Sequence, residues 1–402
     1  MTERDVDGDR VRASSSSLAA LFLRFLRFGF LAWGGPIAQI AMIRRELVEE
    51  LGWITPDHFN RLLAAYQVLP GPEAHELCVH IGTIRAGRWG GLLAGLGFML
   101  PGFILVLGIS ALYARLALDR PPLAAILLGL QVGVVAIIVR AVHRIGQHIL
   151  VDRWAWGIAA LAFVAALFGV SFWVSLSAAG VAYALATAGR KMAALAVLAL
   201  AAAIGALLIA AGRPLAPTPT GADEAVSTAL LFWSGLKAGL LTFGGAYTAI
   251  PFVRGDAVGR GWISDQQFLD GLALSGILPA PLIIFATFVG YQVGGLAGAI
   301  AITAGIFLPA FAFGMLFHRS IERVVADGRL HRLLEGVAAG VVGLIAATAL
   351  ELGRSVWQSL TQPLAGLALF AICLALAFAW KSKWNVLAII ALAGVGGALT
   401  LG

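Results

Sequence analysis

The sequence is short of charge. Asp, Glu, Lys and Arg together supply 12% of its 402 residues, against 60% hydrophobic, and the mean hydropathy is +0.91. A soluble domain of that length cannot cover its surface with so few polar groups. Several stretches also exceed the ~18 apolar residues that mark a membrane span. Cysteine is almost missing: Cys78 and Cys373 lie in apolar surroundings with no CxxC, so neither a disulfide framework nor a zinc site is indicated. Enzyme signatures are missing too. Lys191, Lys237 and Lys381 lack the glycine frame of a P-loop, and there is no HExxH, no GxSxG and no GxGxxG opening a helix after a strand. ATP hydrolysis is therefore not indicated, and no cofactor is expected. A signal peptide is not legible either. Residues 1–17 are polar, carry Arg4, Arg10 and Arg12, and read as a disordered cytoplasmic tail.

What is present is a bilayer protein with a basic excess. The formal net charge is +7 and the isoelectric point is near 9.9, but the basic residues stand at the ends of apolar segments rather than in one patch. That pattern fits orientation signals in a membrane, not a nucleic-acid surface. The 49 glycines fit membrane helices, which pack through small residues. Gly129-x-x-x-Gly133 and Gly336-x-x-x-Gly340 are packing motifs of this kind, placed either inside the monomer or at the face of a homodimer.

The chain also repeats itself. Leu231-Phe232 to Leu308-Pro309 replays Leu21-Phe22 to Leu100-Pro101, with Gly34-Gly35 matching Gly244-Gly245 and Leu69-Pro70-Gly71-Pro72 matching Leu278-Pro279-Ala280-Pro281. In each copy the Gly-Gly and the Pro-x-Pro interrupt apolar stretches, the strongest sequence pointer to a transporter's binding site. Hydropathy places thirteen spans, near 18–42, 62–84, 90–114, 122–146, 154–169, 172–188 and 192–211, then 229–251, 266–293, 295–317, 331–353, 363–380 and 383–401. The segments divide into the tail at 1–17, a first repeat at 18–190, a connecting span and Pro-rich linker at 191–228, and a second repeat at 229–402. If 62–84 and 266–293 cross fully, the larger Lys/Arg groups, Arg140/Arg144/Arg153 among them, fall on one side, the cytoplasm, with Arg44, Arg45 and Arg213 dissenting; as re-entrant hairpins these two segments would scatter the groups over both faces, so full crossing is preferred. Seven spans then separate equivalent starts. The expectation is an all-α polytopic protein of two inverted-topology repeats, with the N-terminus cytoplasmic and the C-terminus external.

The breaks point to an anion. Pro fits the first turn of a helix, so Pro36 and Pro72 read as starts of half-helices whose N-termini face into the membrane. Each such end carries unpaired N–H groups and about half a positive charge. Arg27 and Lys237 occupy the same repeat position seven residues before the Gly-Gly. A cation inside an apolar span is a functional candidate by default, although both side chains are long enough to reach the headgroups instead. The third feature is asymmetric. Glu73, His75, Glu76 and His80 crowd the segment after Pro72, whereas Leu282 to Thr287 carries no ionisable group. Glu73, Glu76 and His80 share a helix face, where they can carry protons or serve as a cap and a structural pair. No metal site is expected, since Glu76 is followed three residues later by Val79 and not by His.

These residues resemble the chromate ion transporter family in its long, two-domain form. The resemblance runs from Phe28-Gly29 and Trp33-Gly34-Gly35-Pro36 through Gln67-Val68-Leu69-Pro70-Gly71-Pro72 and Gly87 to Pro101, then Thr242-Phe243-Gly244-Gly245 and Leu278-Pro279-x-Pro281. It departs from the usual pattern at Gln39, Ala280 and Ser275-Gly276. The resemblance implies chemiosmotic export of chromate across the bacterial inner membrane, conferring chromate resistance, with sulfate as the look-alike anion. The expected substrate contacts are then Arg27, Gly34, Gly35, Pro36, Gln67, Pro70, Gly71, Pro72, Lys237, Gly244, Gly245, Pro279 and Pro281, and the expected proton carriers are Glu73, His75, Glu76 and His80. A membrane enzyme using Glu73, Glu76 and His80 is the rival reading.

Overall fold

The computed structural model describes residues 17–116, 121–210, 226–317, 327–380, 382 and 384–401. The polar tail, the Pro-rich linker and the basic residues Arg319, Arg323, Lys381 and Lys383 lie outside the described residues. Among the described residues, every regular element is helical. In the first repeat these are α1 (Leu18–Phe30), α2 (Gly35–Arg44, continued by a π turn Arg45–Glu50), α3 (Pro56–Val68), α4 (Glu73–Tyr113), α5 (Pro121–Ile149), α6 (Arg153–Leu167) and α7 (Phe172–Thr187). The connecting helix α8 (Lys191–Ala210) leads to α9 (Thr228–Leu240), α10 (Ile250–Ala257), α11 (Asp265–Gly276), α12 (Phe285–Leu316), α13 (Gly328–Ser359), α14 (Pro363–Ala379) and α15 (Asn385–Thr400).

The repeat is visible in the local chemistry. Ser17 Oγ accepts the Ala20 N–H and Ser227 Oγ the Leu230 N–H, while Thr55 and Ser264 do the same for His58 and Gln267. Matched caps, each worth about 1 kcal/mol, start matched helices. Within α4 the helix is broken at Ala86 and Gly87, and within α12 at Gly294 and Gly295, with near-identical backbone angles in the two copies. Gly87 and Gly295 sit at positive φ (64° and 57°), which glycine adopts without the penalty other residues carry. At these points the chain reverses. Gly82 lies against the Gly90 backbone and Gly290 against that of Gly298, so a Cβ at Gly82 or Gly290 would come within 2.5 Å of the facing carbonyl.

The segments at 18–42, 62–84, 229–251 and 266–293 are not continuous crossings. Arg27 pairs with Glu46, and Lys237 meets Asp256 at 2.5 Å. Nineteen residues of straight helix would put each pair about 28 Å apart. Tyr66 and His80 share a hydrogen bond of 2.7 Å, and the rings of Phe268 and Phe285 are 5.6 Å apart, again far closer than a straight helix allows. Each segment is therefore a hairpin whose tip is the Gly-Gly or Pro-x-Pro break. Full crossing required a helix to continue through residues that cannot sustain one: Pro lacks the N–H, and Gly34 and Gly244 take positive φ. Among the described residues, five helices are long and apolar enough to cross a membrane, namely Glu73–Tyr113, Leu123–Ile149, Lys191–Ala210, Leu282–Leu316 and Gly328–Ser359, and four shorter apolar helices accompany them. The stretch at 154–188 resolves into two of these, α6 and α7, joined through Gly169.

The two repeats share one interior. The second part of α4 packs on α1 and against α12, and α12 packs on α9. Gly97 abuts the Phe22 carbonyl and Gly305 the Phe232 carbonyl at equivalent places, the close approach that small residues permit between membrane helices.

Candidate functional site

The hairpin tips meet across the repeats. The Gly71 amide donates to the Thr242 carbonyl at 2.8 Å, joining the Pro-Gly-Pro break of the first repeat to the Gly-Gly break of the second. Gln39, one helical turn past the first Gly-Gly, donates to the carbonyls of Ala32 at 3.0 Å and Ala280 at 3.3 Å. That bond joins the other two tips. Since every second arm starts at its tip, the N-termini of α2 and α4 and those of the short 3-10 turns Ala246–Ala249 and Leu282–Ile284 converge on this region. Pro36 is the second residue of α2, and Pro72 caps α4 from just outside it.

Beside the tips lies a cavity of about 360 Å³, within the ~300–1,000 Å³ typical of small-ligand sites. Pro36, Gln67, Glu73, Gly244 and Gly245 line it from the breaks. The rest comes from helices not implicated by the repeat motifs: Arg144 and His148 near the end of α5, and His331 and Glu335 at the start of α13. His331 and Glu335 pair at 3.2 Å, one turn apart. Arg144 makes no ion pair among the described residues, and it shares the cavity wall with the Glu73 carboxylate. A wider apolar crevice of about 570 Å³ is lined by residues such as Val135, Phe163, Trp357 and Phe370 and touches none of the breaks. Arg354 and Gln358 are the polar members of its described lining, and the rest is apolar.

The remaining expected site residues are placed elsewhere. Arg27, with Arg24, is held by Glu46. Lys237 is buried against Asp256 and faces the Phe172 ring. Neither lines the cavity. Gly34 and Gly35 form the first tip, and Pro70, Gly71, Pro279 and Pro281 the others. Glu76 is fully buried beside Gly71, its carboxylate fills the space a Cβ at Gly71 would take, and neither of its oxygens has a hydrogen-bond partner. His75 lies among the rings of Phe98, Phe307 and Phe311, and His80 bonds Tyr66. Sequence reasoning missed Glu46 and Asp256, although they stand at equivalent repeat positions and signal a partner for each buried cation. It read Arg144 only as an orientation signal.

Interrupted membrane helices whose breaks meet beside a cation-bearing cavity define a multi-pass membrane transport protein. The chain belongs to the chromate transporter family, whose model matches residues 19–205 and 229–398. It is 56% identical to the chromate transport protein of Pseudomonas aeruginosa over 384 residues, covering 95% of this chain and 92% of that one. It is 30% identical to the chromate transport protein of Cupriavidus metallidurans over 95% of this chain and 94% of that one. To the probable chromate transport protein of Synechococcus elongatus it is 29% identical, over 95% of each. No solved structure matches this chain.

Proposed function

We propose that this chain is a secondary transporter that exports chromate, or a like tetrahedral oxyanion such as sulfate, across the bacterial inner membrane. The observation that carries this reading is the cavity, in which the guanidinium of Arg144, with His148 and His331, lies across from the N-terminus of α2. Cations and helix N-termini attract an anion for the same electrostatic reason. Glu73 lines the same space, so anion and carboxylate compete for Arg144, and protonation of Glu73 favours the anion. Glu76, His75 and His80 continue from Glu73 into the interior as carriers for that proton. Chromate uptake into inside-out vesicles, competed with sulfate under an imposed pH gradient or membrane potential, tests the proposal. Uptake that neither gradient drives refutes chemiosmotic coupling.

The hairpins support an inverted pair of repeats, 18–190 and 229–402, joined by 191–228. Between the hairpins of one repeat and those of the next the chain crosses through residues 88–113, α5, α6, α7 and α8. That number is odd, so the second repeat enters from the opposite face. Because each hairpin returns to the face it left, Arg44 and Arg45 now join Arg140, Arg144, Arg153, Arg190 and Lys191 on the cytoplasmic side, and the positive-inside pattern strengthens. The cavity lies at this basic end. At the equivalent place in the other half, Tyr247, Gly276 and Leu282, the counterparts of Ile37, Gln67 and Glu73, line only about 20 Å³. One side open and its counterpart closed is what alternating access between inverted repeats requires. Cysteines at Gly169 and Gly295 should react with an impermeant reagent from outside, and cysteines at Arg45 and Gly328 should not. External labelling at Arg45 would restore a full crossing by the first segment.

A further inference from the structure

We propose that Asp270 is a second proton-binding residue of the transport cycle, served from the membrane face at which α5 begins and held by Tyr113 and Gln131. The inference rests on the transport reading above but on a different part of the molecule. Asp270 stands in α11, the first arm of the second hairpin in the second repeat, and is 4% exposed. Tyr113 Oη donates to its Oδ2 at 2.8 Å and the Gln131 amide to its Oδ1 at 2.9 Å. Both partners are neutral. Of the helices packed on α11, namely α4, α5, α12, α13 and α15, α4 supplies Tyr113 and α5 the non-titrating Gln131. Among the described residues, no charged side chain from any of them forms an ion pair with the carboxylate, whose hydrogen-bond partners are Tyr113 and Gln131. The nearby charges, Arg254, Asp265 and Glu351, are committed to one another at the start of α11.

A carboxylate buried in a membrane protein without a cation is expensive to keep ionised, and such groups mark proton relays. This one has what it needs for both protonation states. Ionised, it accepts from Tyr113 and Gln131. When a proton from water adds to one carboxylate oxygen, the new O–H needs an acceptor, and the Gln131 carbonyl oxygen, buried and without a hydrogen-bond partner, belongs to the side chain already in contact. Rotation of the Tyr113 hydroxyl supplies another. Nor is the group a framework element common to both repeats, because position 61, its counterpart, is Arg. Gln131 and Arg144 lie thirteen residues apart on α5, about 20 Å along the helix. Asp270 is thus in the half of the molecule opposite the cavity, where the Glu73 cluster has no equivalent.

The test is chromate flux by the full-length protein in vesicles, with pH varied on each face in turn. Wild-type flux should change several-fold with the pH of the face where α5 begins. In Asp270→Asn that dependence should vanish, while chromate binding to the purified protein and its melting temperature stay unchanged. A variant that keeps the wild-type dependence overturns the proposal, and so does one that loses binding and thermal stability together. If Asp270→Asn does not accumulate, Tyr113→Phe leaves the carboxylate in place and removes one donor. It should displace the pH midpoint of flux, and an unmoved midpoint rejects the role. A wild-type protein that moves no chromate fails the transport reading instead, and this one with it.

Discussion

Asp256→Ala is expected to destabilise the protein by roughly 3–5 kcal/mol, because it leaves the Lys237 ammonium buried without its partner. The pair is 2.5 Å long, with the two side chains only 7% and 3% exposed, so water cannot compensate the lost carboxylate. The Phe172 ring face, 5.3 Å from Nζ, contributes at most about 2 kcal/mol and does not make up the loss. Removing both charges, with Lys237→Met and Asp256→Leu together, should recover most of it, since a buried pair is often replaceable by apolar groups of similar volume. Glu46→Ala, the equivalent change in the first repeat, should be far milder, within about 1 kcal/mol. Its partners Arg24 and Arg27 are 35% and 58% exposed and can turn to solvent or headgroups. Thermal unfolding of the three purified variants in detergent, beside the wild type, measures these losses. Equal losses at Asp256 and Glu46 would mean that the two hairpins carry the same load, against the difference in burial.

The repeat and the positions of the breaks were legible in the sequence, because they depend on local chemistry. Pro36 or Pro72 starts a helix in any tertiary setting. The direction of the chain after each break was not legible. A hydrophobic stretch interrupted by Gly-Gly reads the same whether its arms continue in line or lie side by side, and only a contact such as Lys237 with Asp256 distinguishes them. The spacing of that contact was nonetheless present in the sequence: Arg27 and Glu46 are separated as Lys237 and Asp256 are, and a matched cation and anion in both repeats argue for a hairpin. The larger omission was the cavity wall. Arg144, His148 and His331 belong to helices with no Gly or Pro signature at those positions, and nothing in local sequence brings the end of α5 beside Pro36 and Gly245. Asp270 was hidden for the same reason, since its partners lie 157 and 139 residues away.

Arg144→Gln should weaken chromate binding about ten- to a hundredfold. A charge-assisted hydrogen bond is worth about 1.5–3 kcal/mol, and each 1.4 kcal/mol is a factor of ten in affinity. The variant removes a fixed cation from the cavity while leaving the helix ends and both histidines in place, so some binding should remain. Arg144→Lys should lie between the two, because it restores the charge but not the planar donor fork suited to an oxyanion. Arg27→Gln serves as the control: its guanidinium is tied to Glu46 outside the cavity, and its affinity for chromate should match the wild type. Glu73→Gln should act in the opposite sense to Arg144→Gln. It keeps the side-chain shape and removes the carboxylate that competes for Arg144, so chromate should bind as well or more tightly, and the dependence of binding on pH should flatten. Calorimetry with chromate and with sulfate reads these affinities directly, independent of flux. If Arg144→Gln binds like the wild type while Arg27→Gln does not, the oxyanion sits among the residues of the first hairpin and not in the cavity between α5, α13 and the tips.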